Sequence, residues 1–94
     1  MEVSIQDICQ FATKKVREQK SEDMRREHGD NTIVLFKVGD YYEAYGAAAQ
    51  QLSYQLGISL SKIGNIDYAL FPIRCEAIYF ARLVKEGFKI AIPE

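Results

Sequence analysis

Apolar residues recur at Ile5, Ile8, Cys9, Ala12 and Val16, a three- and four-residue spacing that predicts an amphipathic helix from Ser4 to about Lys20. Ser4 stands in the N-cap place with Asp7 three residues on, the spacing of a capping box. The opposite face of that helix carries Lys14, Lys15 and Arg17. Ser21 to Gly29 is nearly all polar and either continues the helix or opens a new turn capped by Ser21. A turn signal follows at Gly29-Asp30-Asn31. The run Ile33 to Val38 is β-branched, short and almost continuously apolar, which suits a central strand covered on both faces.

Gly39-Asp40 breaks that strand. Tyr41 and Tyr42 come next; in extended geometry they point to opposite sides, while Tyr41 and Glu43 share one. Ala44 to Leu56 reads as a helix with Tyr45, Ala49, Leu52 and Leu56 inward and Gly57 as its C′ residue. Ile58 to Ser61 alternates as a short strand, Lys62 to Asn65 turns the chain, and Ile66 to Phe71 returns as another strand that Pro72 ends. Glu76 to Glu86 is a helix with Ala77, Ile78, Ala81, Leu83 and Val84 inward, and Phe88 to Ile92 is the last strand. This order predicts an α/β (α+β) fold, a small mixed β-sheet flanked by about three helices, with residues 1–94 as one domain.

The charge balance narrows the function. The formal net charge is -1, without the basic excess of a freestanding DNA binder. From Lys14 to Glu27 six Lys and Arg face four acids, the balance of a solvated face laced with pairs such as Glu22–Arg26 rather than a phosphate track. No apolar run approaches the roughly 18 residues of a membrane span, and Met1 to Ser4 has no basic region leading into an apolar stretch, so neither a membrane anchor nor a signal peptide is expected. Cys9 and Cys75 stand alone, which reads as buried reduced thiols in a cytoplasmic protein.

Enzyme constellations are missing from the pattern. There is no Gly-rich phosphate loop, no HExxH, no GxSxG and no Cys–His arrangement, so no catalytic residue, metal or other cofactor is expected, and His28 falls in a loop without a chemical role. The feature with chemical content is Tyr41 beside Glu43. An aromatic ring can stack on a nucleobase, worth about 1–3 kcal/mol, or wedge between base steps from the minor groove. A carboxylate on the same side of the strand can accept a hydrogen bond from a base edge. Spacing alone favours the plainer reading, that Tyr41 and Tyr42 are half-buried strand aromatics.

The segment Leu35-Phe36-Lys37-Val38-Gly39-Asp40-Tyr41-Tyr42-Glu43-Ala44-Tyr45 resembles the start of the MutS mismatch-repair proteins, with their apolar strand, Gly-Asp-Phe-Tyr-Glu motif and helix. The resemblance continues in order through Leu56-Gly57-Ile58-Ser59-Leu60-Ser61, Ala69-Leu70-Phe71-Pro72, and Tyr79 to Ile92, which is similar to the family's Tyr-Leu-x-Arg-Leu-Val-x-x-Gly-x-x-Val-Ala-Ile. It implies a mismatch-recognition domain in which Tyr41 takes the place of the stacking Phe and Glu43 that of the base-bonding Glu. Departures are Tyr for Phe at position 41, Leu70 for a Gly, Pro72-Ile73-Arg74-Cys75 for Pro-x-His-Ala, Pro93 for a Cys, and a short loop between Leu60 and Tyr68. The resemblance implies mismatched or distorted duplex DNA as the partner. Binding is expected to be weak for the domain alone, since phosphate contacts made elsewhere in the family supply most affinity. ATP is not expected to bind. The alternative is a protein-interaction or regulatory module, with a protein partner, that keeps the fold without binding DNA.

Overall fold

The structure is a computed structural model that describes the backbone of residues 5–93 and the side chains of residues 12–93. The proposed cap at Ser4 with Asp7 and the inward placing of Ile5, Ile8 and Cys9 lie outside the described residues. The chain runs α1 (Ile5–His28), β1 (Thr32–Val34), β2 (Phe36–Val38), β3 (Tyr41–Tyr45), α2 (Ala47–Leu56), β4 (Ser61–Ile63), β5 (Ile66–Pro72), a single 3₁₀ turn (Ile73–Cys75), α3 (Glu76–Lys85) and β6 (Lys89–Ala91).

The apolar run expected as one strand serves two partners. β1 pairs in parallel with β6, from Thr32 opposite Lys89 to Val34 opposite Ala91. The Leu35 N–H donates to the Ala91 carbonyl at 2.8 Å, and the chain then changes partner. β2 pairs antiparallel with β3, from Phe36 opposite Glu43 to Val38 opposite Tyr41. The antiparallel ladder has the order β2-β3-β5-β4. One continuous segment thus joins a parallel and an antiparallel ladder, which makes the sheet mixed, as the sequence predicts.

The strands alternate between two apolar clusters. Ile33, Leu35, Tyr42, Ala44, Ala69 and Phe71 face α2 and α3, where Ala48, Ala49, Leu52, Leu56 and Leu83 meet them. Val34, Phe36, Tyr45 and Ile66 face the other way, with Met24 of α1, Val38 and Tyr68 packed beside them. The sheet is therefore a middle layer, with α1 on one side and α2 and α3 on the other.

Several boundaries and faces differ from expectation. The helix predicted from Ala44 starts at Ala47, because Ala44 and Tyr45 pair with Ala69 and Tyr68 on β5. Gly46 ends that strand at φ 62° and ψ -133°, a backbone region open essentially to glycine. The strand expected at Ile58–Ser61 lies at Ser61–Ile63. There the hairpin turn Gly64-Asn65 sets Ile63 opposite Ile66, and the Ile58 carbonyl is taken by Ser53 Oγ at 2.5 Å.

On α3 only Leu83 is buried, and Ala77, Ile78, Ala81 and Val84 are not. A helix buries one stripe, and here the aromatics claim it. Phe80 lies 5.3 Å from the Tyr42 ring and Tyr79 5.0 Å from Phe71, contacts that cover more area than Ile78 or Val84 would.

α1 departs most. It continues unbroken through Ser21 to His28, and its described inward face is polar. Ser21 and Arg25 are buried and Lys14 and Arg17 are partly so, whereas Ala12 is exposed and Val16 is 69% exposed. The physical reason lies underneath: this face of the sheet presents a carboxylate and a phenol hydroxyl, which need cations and donors rather than methyl groups. Glu22, expected to pair with Arg26, instead sits with Glu18 over the start of α2. A Cβ on Gly46 would fall 3.3 Å from Glu22 Oε1 and 3.6 Å from Glu18 Oε2. α2 has no acidic residue in its own first turn and no side-chain cap, so α1 supplies the negative charge its N-terminus favours. Arg26 pairs with Asp23.

Candidate nucleic-acid interface

The site is built on the β2–β3 hairpin. Gly39 and Asp40 form its two-residue turn, with Val38 opposite Tyr41 closing the ladder. Gly39 has φ 59°, the positive value that the first central residue of such a turn requires. The turn is tied to the far side of the site, because the Ile73 N–H donates to the Asp40 carbonyl at 2.9 Å.

Register then decides what surrounds Tyr41. Its ring begins β3 between Val38 on β2 and Pro72 on β5, and Leu70 stands opposite Glu43. Cross-strand partners share a face, so Tyr41, Val38, Leu70 and Pro72 belong to the α1 side of the sheet. Tyr41 is 44% exposed and Leu70 is exposed beside it, the open end of a face otherwise covered by α1. Asp40, Tyr41, Pro72, Ile73 and Arg74 line a shallow depression there. Arg74 puts a guanidinium at the rim of an aromatic and apolar surface, and Asp40 an acid.

Tyr42 has the other fate. It points to the α2 and α3 side, is 1% exposed, and donates its hydroxyl to Glu76 Oε2 at 2.9 Å. Burial, reinforced by the Glu76 carboxylate, pushes its phenol pKa above the usual value. Tyr42 is thus a core residue, and the sequence reading that the neighbours face opposite ways describes both tyrosines.

Glu43 shares the face of Tyr41, as expected, but is 5% exposed. Its Oε1 accepts a hydrogen bond from Lys14 Nζ at 2.8 Å, and Arg17 lies 3.9 Å from Oε2. The same ammonium stands over the Tyr68 ring at 4.6 Å and the Tyr45 ring at 5.5 Å. Arg17 also donates to the Tyr45 hydroxyl at 3.1 Å. Burial raises the Tyr45 pKa to about 12, against the lowering effect of the Arg17 hydrogen bond. The structure therefore places Tyr41 at the surface and Glu43 beneath α1.

The sequence pattern assigns Lys14 and Arg17 to a solvated helix face, and the structure turns that face inward. The signal that marks them is the spacing Lys14, Arg17, Ser21, Arg25, one turn apart on one face, which coincides with the buried side. Among the described residues no group of three or more His, Cys, Asp and Glu is arranged to hold a metal ion. No helix among them is long and apolar enough to cross a membrane.

Residues 17–94 match the model of the family described as MutS domain I. The chain is 34% identical over 89 residues to the DNA mismatch repair protein MutS of Chlorobium limicola, a match spanning 87% of this chain and 10% of that protein. The MutS proteins of Chlamydia trachomatis serovar D and of Thermus thermophilus are each 36% identical, over 73% of this chain and 8% and 9% of their own lengths. The chain thus spans about a tenth of the length of these curated relatives. The hairpin that carries Tyr41 lies inside the matched segment, and the chain belongs to the MutS family as a domain of its N-terminal, mismatch-recognition type.

Proposed function

We propose that this domain contacts mismatched or distorted duplex DNA by stacking the Tyr41 ring against an unstacked base. The observation that carries the reading is the exposure of Tyr41 on the family's hairpin motif while its neighbour Tyr42 is buried. Val38, Leu70 and Pro72 give the ring an apolar surround that a base can cover, and Arg74, which lines the same depression as Tyr41, supplies a cation for a phosphate. The role is binding rather than catalysis. A net charge of -1 supplies little phosphate affinity, so binding by the domain is weak.

A second reading, a protein-interaction module that keeps the fold without the DNA role, is favoured by one observation: Glu43 is paired under α1 instead of facing outward. Fluorescence anisotropy at low salt separates the two. Matched, G·T-mismatched and single-base-bulge duplexes are titrated with wild type and Tyr41→Ala. Stacking predicts a preference for distorted duplex that falls by roughly five- to 150-fold in the variant, the equivalent of about 1–3 kcal/mol. Equal loss on matched and mismatched duplex, or no binding at about 100 μM, the weak end of ordinary non-specific binding, would sink the stacking role. A stable protein partner recovered without DNA would then carry the second reading.

A further inference from the structure

We infer that Lys14 is a latch that withholds Glu43 from DNA, so that engagement of a distorted base proceeds in two steps: stacking on Tyr41, then release of the Glu43 carboxylate from α1. The inference rests on the DNA-contact reading above and concerns how that site is regulated.

Glu43 lies two residues beyond Tyr41 on the same face, about 7 Å along the strand at ordinary strand rise. That spacing suits an acceptor for the edge of a base whose ring has been drawn onto Tyr41. In the free domain the acceptor is spent: Oε1 is 2.8 Å from Lys14 Nζ, and the carboxylate side chain is 7% exposed. Tyr41, by contrast, is already open.

The latch has the construction of a reversible contact. Lysine is a single ammonium on a flexible four-carbon stem, without the bidentate fork that makes an arginine pair hard to exchange. Lys14 is 14% exposed, so its head group has solvent within reach when it swings out. The tyrosine rings of Tyr45 and Tyr68 hold it in place by cation–π contact. α1 does not depend on it for docking. Further along the helix, Arg25 donates to Gln51 Oε1 at 3.2 Å and to the Asp30 carbonyl at 3.1 Å, and Arg17 keeps its bond to Tyr45. Arg17, 3.9 Å from Oε2, leaves one cation near the carboxylate when Lys14 departs.

The test compares wild type with Lys14→Met, which keeps an apolar stem of similar length, in the same anisotropy titration with single-base-bulge duplex. The variant is expected to bind about tenfold more tightly, and the gain is expected to vanish in Lys14→Met/Glu43→Gln. Tyr41-dependent binding by wild type that Lys14→Met leaves unchanged overturns the latch and leaves the stacking role standing. Absence of binding by both proteins overturns the two together. A measurement on the unaltered protein covers the case in which Lys14→Met does not fold. With ¹⁵Nζ-labelled lysine, the hydrogen-bonded Lys14 ammonium signal is expected to disappear on addition of bulged duplex and to persist with matched duplex. Persistence in the bulge complex overturns the latch.

Discussion

Lys14 Nζ and Glu43 Oε1 stand 2.8 Å apart across 29 positions of sequence, both shielded from water. The pair is one of the polar contacts, with those of Arg17 and Arg25, through which this face of α1 meets the rest of the fold. Removing either partner alone leaves a charge with reduced compensation, and a fully buried pair loses about 3–5 kcal/mol when broken this way. With Arg17 still 3.9 Å from the carboxylate, a smaller loss of about 2 kcal/mol is expected for Lys14→Met. The double variant Lys14→Met/Glu43→Gln should lose less than the sum of the singles, a coupling that urea denaturation of the four proteins measures.

Tyr45 predicts the alkaline limit of the fold. Its pKa rises from 10.0 to about 12 on burial, so folding favours the protonated phenol. That contribution is fully present below pH 10 and is lost as pH rises through about 12. The urea midpoint should therefore fall between those values as tyrosinate absorbance appears. Tyr45→Phe should flatten the fall, at a neutral-pH cost of about 1 kcal/mol for the lost Arg17 hydrogen bond.

Gly46 should not tolerate a side chain. At φ 62° and ψ -133° an L-residue is strained by about 1–3 kcal/mol. The added Cβ would also crowd Glu22 Oε1 at 3.3 Å. Gly46→Ala should lower the unfolding free energy by that amount in urea denaturation, with the neighbouring Ala47→Gly as a comparison that tests helix propensity alone.

The register of α3 is checked by two truncations. Leu83→Ala empties a fully buried position and should cost about 2–5 kcal/mol. Ile78 is 67% exposed, and Ile78→Ala should stay within about 0.5 kcal/mol of wild type. The opposite ranking would mean that α3 is rotated to bury Ile78 in place of Leu83.

Much of the architecture is legible in the chain without coordinates. Hydrophobic runs and turn residues locate all three helices and most strands, since Gly39, Gly57, Gly64 and Gly87 mark turns and helix ends that only φ > 0 permits. Period-two alternation places Tyr41 and Glu43 on one side and Tyr42 on the other, because that relation is local to a strand. The ordered motif blocks identify the family.

Burial is set elsewhere. Val16 and Ile78 carry strong apolar signals and stand in solvent, while Lys14, Arg25 and Glu43 carry charges and are wholly or largely shielded. A helix has more than one face that can be buried, and its own sequence cannot say what lies beneath it. α1 turns its polar stripe inward because Glu43 and Tyr45, 28 to 29 residues away, need donors there. α3 turns its aromatics inward because Tyr42 and Phe71 offer them rings to pack against. The elements, their order and the side of the strand each site residue takes follow from short-range sterics and periodicity, and so are written in the chain. That Tyr41 is open and Glu43 closed is written only in three dimensions, because solvent exposure depends on which distant groups can satisfy a buried charge.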